Sequence, residues 1–209
     1  MAAQLLDGKA LSAQVEAELK VRVDALLAKG HQPGLCVILV GEDPASQLYV
    51  GNKEKACGRL GLLSRTVRIP EETTQEELEA EIRKANMDPT IHGLLVQFPL
   101  PAHLDASRAQ ALILPEKDAD GLHDINTGRM MRGEDAPIAC TPKGALYMLK
   151  SANIPIEGKH AVVIGRSSIV GRPMAMLLLR ENATVTICHS RTKNLGEYTR
   201  QADILVAAI

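Results

Sequence analysis

Aromatic residues are scarce: the chain has no tryptophan, one phenylalanine and three tyrosines among 209 residues. Rings cannot fill the interior, so the core has to be built from Leu, Ile, Val, Ala and Met. Charge of one sign is also missing. The 24 Lys and Arg and 25 Asp and Glu leave a formal net charge of −1, which gives neither nucleic acid nor an anionic membrane surface a bulk attraction. No apolar run reaches the roughly 18 residues that a membrane span needs. The four cysteines, Cys36, Cys57, Cys140 and Cys188, lie far apart and form no CxxC pair. They indicate neither a zinc site nor a disulfide framework, so no metal is expected. Scattered thiols fit a reducing compartment. The opening MAAQLLDGKALSAQVEAELK has acidic residues in amphipathic spacing, unlike an apolar secretory leader. A cytoplasmic protein is expected, and a matrix protein relieved of its leader has the same look. The remaining composition, 45% hydrophobic and 23% charged, is that of a globular chain with length for one large or two small domains.

Strands and helices alternate along the chain. Residues 9–29 read as an amphipathic helix stopped by Gly30. LCVILV (35–40) is a short β-branched apolar run, hence a buried strand. Asp43 and Pro44 give a cap and a first turn for a helix over 44–60. A strand over 62–69 follows. Thr74 with Glu77 forms a capping box for a helix over 74–86. IHGLLVQF (91–98) is a strand, 104–113 a short helix, and PEKDADGLHDINTGRMMRGED a polar, glycine-containing loop through 135. A helix over 141–153 joins this part to a second one, in which HAVVIG, TVTICH and ADILVAAI are strands and VGRPMAMLLLREN a helix. The reading is an α/β protein with parallel sheets covered on both faces. It has two domains, an N-terminal α/β domain at 1–140 and a Rossmann-like nucleotide domain at 141–209. Only the first half of a doubly wound sheet is expected in the latter, leaving an exposed apolar edge.

VVIGRSSIVGRP follows a strand and opens a helix, the setting of a dinucleotide phosphate loop. Gly165 suits the tight turn, and the backbone N–H groups at 170–174 suit pyrophosphate oxygens. The spacing departs from GxGxxG: Ser167 takes the second glycine position and Gly171 arrives one residue late. A plain glycine turn in a βαβ unit is the alternative. The next strand ends without the acidic residue that holds a ribose 2′-hydroxyl. It ends instead in Ser190, Arg191 and Thr192, and a cation with hydroxyls suits a 2′-phosphate. Arg166 is placed to join them. NADP is therefore expected rather than NAD, against the alternative of a solvated basic turn.

In the first part, ligands of an α/β sheet are expected beyond the C-terminal strand ends. Tyr49 and Lys53 share a helix face there at i, i+4. Gln97 ends a strand, and Asp118, Asp120 and His123 lie in the following loop. Each has an ordinary explanation taken alone: a solvated lysine, a core tyrosine, a loop-capping glutamine, a turn aspartate.

The ordered motifs YVGNKEKACGRLG, GLLVQFPLP, PEKDADG, CTPKG and IGRSSIVGRP resemble the bifunctional methylenetetrahydrofolate dehydrogenase/cyclohydrolase family, called FolD in bacteria, over nearly all of the chain. The resemblance implies a folate-binding catalytic domain, a Rossmann-like NADP domain with the active site in the cleft between, and a homodimer. It implies oxidation of 5,10-methylene-tetrahydrofolate by NADP⁺ and hydrolysis of the methenyl product to 10-formyl-tetrahydrofolate. Tyr49 matches the tyrosine that packs on the folate, Lys53 the catalytic lysine, Gln97 its glutamine partner and Asp120 the aspartate that binds the pterin. Cys140 matches a position near the cofactor side. Arg166 and Ser190, with Arg191 beside them, match the 2′-phosphate region, and Ser167, Ile169 and Gly171 lie in the matched phosphate loop. The family continues beyond ADILVAAI, so a C-terminally truncated chain is expected. The alternatives are another two-domain NADP-dependent dehydrogenase, of the shikimate type, and a non-catalytic folate- or nucleotide-binding protein.

Overall fold

A computed structural model of the chain describes residues 3–209. The chain forms two compact units: Lys9–Ala119, and Asp120–Ile209 together with the residues up to Gly8.

The first unit contains α1 (Gly8–Leu27), β1 (Gly34–Val40), α2 (Pro44–Leu60), β2 (Leu63–Ile69), α3 (Gln75–Met87), β3 (Gly93–Val96) and α4 (Ala106–Leu112). The strands form a parallel sheet in the order β2-β1-β3, with Val37 opposite Thr66 and Ile38 opposite Val96. The central strand is the apolar run GLCVILV, and its side chains alternate between two covered faces. Cys36, Ile38 and Val40 pack with Leu78 and Ile82 of α3 and with Ala109 of α4. Val37 and Leu39 pack with Val50 of α2. Both faces are aliphatic, as the shortage of rings requires.

Local chemistry fixes the helix ends. The Asp43 carboxylate accepts from Ser46 N at 2.7 Å and Pro44 opens α2. This bond holds the Asp43 carboxyl below its ordinary value. At α3, Glu77 Oε2 accepts from Thr74 N at 2.8 Å while Thr74 Oγ1 accepts from Glu77 N, the expected capping box. The other end of α3 is held by Lys117, whose ammonium donates to the carbonyls of Asn86 (2.6 Å) and Asp88 (2.8 Å). A cation at a helix C-terminus is favoured by the exposed carbonyls and the dipole. Glu79 is a buried carboxylate, its side chain 4% exposed, satisfied by Arg83 of its own helix and by Arg108 of α4. Its carboxyl is held below the ordinary range by the Gln75 amide first and then by these guanidinium groups.

The second unit contains α5 (Asp124–Met131), α6 (Cys140–Ser151), β4 (His160–Ile164), α7 (Gly171–Arg180), β5 (Thr184–Cys188), α8 (Leu195–Arg200) and β6 (Ile204–Ala207). Its parallel sheet has the order β5-β4-β6. The core joins Ala161, Val163, Met174, Leu178 and Ile204, with Leu146 and Leu149 of α6 packed against it.

Two elements escape the sequence reading. The expected loop through 135 contains α5, and α8 precedes the last strand. The helix at 140–151 is no free connector, because it packs on α7 inside the second unit. In both sheets the second strand lies on one side of the first and the third strand on the other. The chain therefore changes direction across the sheet between β1 and β3, and again between β4 and β6. Such switch points open a crevice beyond the C-terminal strand ends.

Candidate active site

Successive residues of a helix are 100° apart, so the buried side of α2 sets what its neighbours can reach. Ser46, Val50 and Cys57 form the buried stripe against the sheet. Lys53 lies on one flank of that stripe, and Tyr49 lies one turn earlier and further out on the same flank. Tyr49 is 60% exposed, which removes the core-tyrosine explanation.

Lys53 is half-buried and its Nζ donates to Gln97 Oε1 at 2.8 Å. Gln97 stands immediately after β3, with its backbone N–H bonded to Ile38 O on β1 at 2.8 Å. Its side-chain Nε2 donates to Phe98 O, also at 2.8 Å. The amide is thus held at both ends, with its oxygen turned to the lysine. An amide partner orients the lysine nitrogen without adding a fixed charge. The site stands at the β1/β3 switch point.

The loop residues separate. Asp118 is buried and accepts from Gln110 Nε2 at 3.2 Å. Its segment runs beside β3 through a parallel bridge to Leu94. Asp118 therefore has a structural place. Asp120 is half-buried and begins the main segment of the second unit. His123 caps α5, its Nδ1 accepting from Ile125 N at 3.1 Å. Cys140 is exposed at the start of α6, whereas the other three thiols are buried.

The phosphate loop has the expected setting between β4 and α7. Gly165 has φ +120°, and a Cβ there would fall 2.0 Å from Ala208 O. A Cβ on Gly171 would fall 2.3 Å from Gly165 O, so the helix starts against the turn itself. At the helix start, the N–H groups of 170–174 are engaged within the protein. Ser167 Oγ accepts from Val170 N and Gly171 N, both at 3.2 Å, and Ser167 O accepts from Arg172 N. Met174 N donates to Val170 O, and residue 173 is proline. The short hydroxyl side chain competes for donors that an open helix start would offer to a ligand. Among the described residues, no hydrogen bond is made by the backbone N–H groups of exposed Arg166, Ser167, Ser168 and Ile169. Ser168 is the member that sequence reasoning passed over. Its only signal was its place between Ser167 and Ile169.

Beside this loop, Ile164 of β4 pairs with Cys188 of β5, so Arg166 and Ser190 each follow a paired strand end by two residues. Residues 189–192 form a tight turn: Thr192 N donates to His189 O (2.8 Å), and His189 N donates to Thr192 Oγ1 (2.9 Å). His189 Nδ1 accepts from Arg191 N, and Ser190 and Arg191 are exposed.

Both units match known family descriptions. Residues 6–120 match "Tetrahydrofolate dehydrogenase/cyclohydrolase, catalytic domain", and residues 139–209 match "Tetrahydrofolate dehydrogenase/cyclohydrolase, NAD(P)-binding domain". The chain is 56% identical over 209 residues to the bifunctional protein FolD of Halalkalibacterium halodurans, covering all of this chain and 75% of that protein. It is 54% identical to that of Ralstonia pickettii, covering 72% of it. The solved FolD of Campylobacter jejuni superposes with a TM-score of 0.97 at 48% identity, over 99% of this chain and 74% of the other. The Trypanosoma brucei enzyme, solved with NADP cofactor and an inhibitor, gives 0.95 at 38% identity, over 100% and 72%. The chain thus spans about three quarters of the length of these relatives. With both units matched in order and relatives above half identity, the chain belongs to the tetrahydrofolate dehydrogenase/cyclohydrolase family.

Proposed function

We propose that the protein oxidises 5,10-methylene-tetrahydrofolate with NADP⁺ to the methenyl form, and then hydrolyses that form to 10-formyl-tetrahydrofolate. The observation that carries this reading is the Lys53–Gln97 hydrogen bond at 2.8 Å beside the exposed face of Tyr49. Residues 1–140 carry the folate work and residues 141–209 the nucleotide work.

Tyr49 offers a flat platform for the folate ring system. Asp120 suits the adjacent ring N–H and amino donors of the pterin, a two-point match. In the hydrolysis, water adds to the cationic methenyl carbon and gives up a proton to Lys53 in its amine form. Lys53 then returns that proton to N5 as the bond from the carbon to N5 breaks, and the carbon's hydroxyl releases its remaining proton to solvent, leaving the formyl group on N10. Gln97 holds the amine in place through both transfers.

NADP⁺, when bound, accepts the hydride of the oxidative step. The residues present fit this cofactor. Gly165 and Gly171 permit the tight strand-to-helix turn, and the unengaged N–H groups of Arg166, Ser167, Ser168 and Ile169 suit its phosphates. Arg166, Ser190 and Arg191 suit its 2′-phosphate. The family reading also carries a homodimer and a cytoplasmic location, to be read by light scattering and by cell fractionation.

The test is the absorbance of the methenyl product after mixing protein with 5,10-methylene-tetrahydrofolate and NADP⁺, beside a Lys53→Ala variant. Lys53 is half-buried on a helix flank, so the variant should fold. Loss of a positioned proton carrier lowers turnover by roughly 10²–10⁴. Methenyl product should form with both proteins and disappear promptly only with the wild type. No NADP⁺-dependent product from folded wild type overturns the reading.

A further inference from the structure

We propose that Glu54 is a positioning residue for Lys53: its contact with β2 sets the rotation of α2 and so holds the lysine at Gln97. The inference rests on the role given to Lys53 above, and it concerns a residue whose contacts lie with β2, on the flank of α2 away from Lys53.

Glu54 follows Lys53 directly, and a 100° step carries it across the buried stripe of α2 to the opposite flank. There its Oε1 accepts from Thr66 Oγ1 of β2 at 2.6 Å and lies 3.3 Å from Arg68 Nη2. Thr66 stands opposite Val37 in the β1/β2 register, and Val37 packs with Val50 of α2. The hydroxyl therefore lies on the sheet face that α2 covers. On the other flank, Lys53 reaches past β1 to Gln97, the residue that follows β3. The helix is tied on both sides of its apolar stripe, by Glu54 to β2 and by Lys53 to the β3 side. Apolar burial is non-directional and does not by itself fix the rotation of a helix. A charge-assisted O–H···O⁻ bond is short and directional. Of the two ties, the one that carries no proton chemistry sets the geometry of the one that does. Arg68 is more than half exposed and serves Glu54 from solvent, so Thr66 is the determining partner.

The test uses Glu54→Ala, Glu54→Gln and Thr66→Val in the otherwise unchanged protein. Crystal structures read the separation of Lys53 Nζ from Gln97 Oε1, and kinetics read the cyclohydrolase and dehydrogenase activities separately. In Glu54→Ala and Thr66→Val the separation should open beyond about 3.5 Å. The cyclohydrolase kcat should fall roughly tenfold, with KM within about twofold. Glu54→Gln keeps an oxygen acceptor for Thr66 and should restore kcat to within about twofold of wild type. A merely structural role would lower both activities together with the folded fraction, and the glutamine would give no selective rescue. An intact 2.8 Å pair in Glu54→Ala, or that parallel loss, overturns the proposal. Should Lys53→Ala hydrolyse the methenyl compound at the wild-type rate, the proposed function of Lys53 fails, while the crystallographic distance still decides whether Glu54 positions it. If Glu54→Ala does not fold, Thr66→Val and Glu54→Gln carry the same decision.

Discussion

Replacing Gly171 by alanine sets helix propensity against sterics, and the distances decide which wins. Gly171 is buried at the first position of α7. A Cβ there would lie 2.3 Å from Gly165 O, 2.6 Å from Gly165 C and 2.8 Å from Arg166 N. All three are backbone atoms of a turn tied to its neighbours, Gly165 N to Cys188 O and Ala208 N to Ile164 O. Relief therefore falls to the helix, which has to withdraw by roughly 1 Å from a close-packed contact. Met174, Ala175 and Leu178, all buried, would move with it and loosen the core against Val163 and Ile204. Overpacking of this kind costs about 1–3 kcal/mol, here toward the upper end because no flexible side chain can give way. Alanine in a helix returns at most about 1 kcal/mol. The net expectation is a loss of about 2 kcal/mol, a fall in melting temperature of roughly 4–8 °C. Gly144 of α6 is the matched control: a Cβ there meets nothing within 4 Å. Gly144→Ala should gain about 0.5–1 kcal/mol. Thermal unfolding by circular dichroism reads both. Melting of Gly171→Ala at or above the wild-type temperature would refute the steric argument.

Acid should weaken the first unit through Asp88. The Thr90 hydroxyl, then the Thr90 N–H and the Arg65 guanidinium, hold its carboxyl at about 2, below the ordinary 3.8. A depressed carboxylate stabilises the fold fully above its unfolded value and loses that contribution as pH falls through the folded one. The denaturation midpoint should therefore fall between about pH 4 and pH 2, and less steeply in Asp88→Asn; identical slopes would remove Asp88 from that role. Thiol titration gives a separate check. Burial pushes the thiols of Cys36 and Cys57 up, and Cys188 is buried too, while Cys140 is exposed. Ellman's reagent should react promptly with one thiol in the native protein and with none in Cys140→Ser; a prompt second equivalent would contradict the burial of the other three.

The sequence was most legible where one local rule had no competitor. Asp43-Pro44 and Thr74 with Glu77 marked helix starts to within a residue, because caps act through neighbouring backbone groups alone. LCVILV read as a buried strand because a short apolar run with β-branched residues suits a strand covered on both faces. Elements held by packing or by long-range bonds were less legible. DINTGRMM looked like loop, yet Asn126 and Met130 are buried one turn apart and make α5 a helix. The strand over 91–98 is shorter than its apolar run: the regular strand stops at Val96. The following residues turn to present Gln97 to Lys53 and to bond its amide to Phe98 O. The Lys53–Gln97 pairing spans 44 positions and leaves no periodic trace. Resemblance supplied it, and geometry placed the two side chains together.

The phosphate loop shows how one substitution in a motif redistributes chemistry. A glycine at position 167 would leave the first N–H groups of α7 to an incoming anion, as helix starts generally do. The serine present instead takes two of them on its own hydroxyl, and its carbonyl takes a third. Residues 166–169 are exposed, as are Ser190 and Arg191, just past the paired ends of β4 and β5. Backbone amides recognise phosphate oxygens wherever they lie, whereas a guanidinium delivers a full charge at one end of the ligand. On the reading proposed above, fewer helix-start donors and cations beyond the second strand would weight binding toward the 2′-phosphate end of a dinucleotide. The absence of an acidic residue at that strand end fits the same proposal, because a carboxylate suited to a ribose hydroxyl would repel a 2′-phosphate beside Arg166 and Arg191.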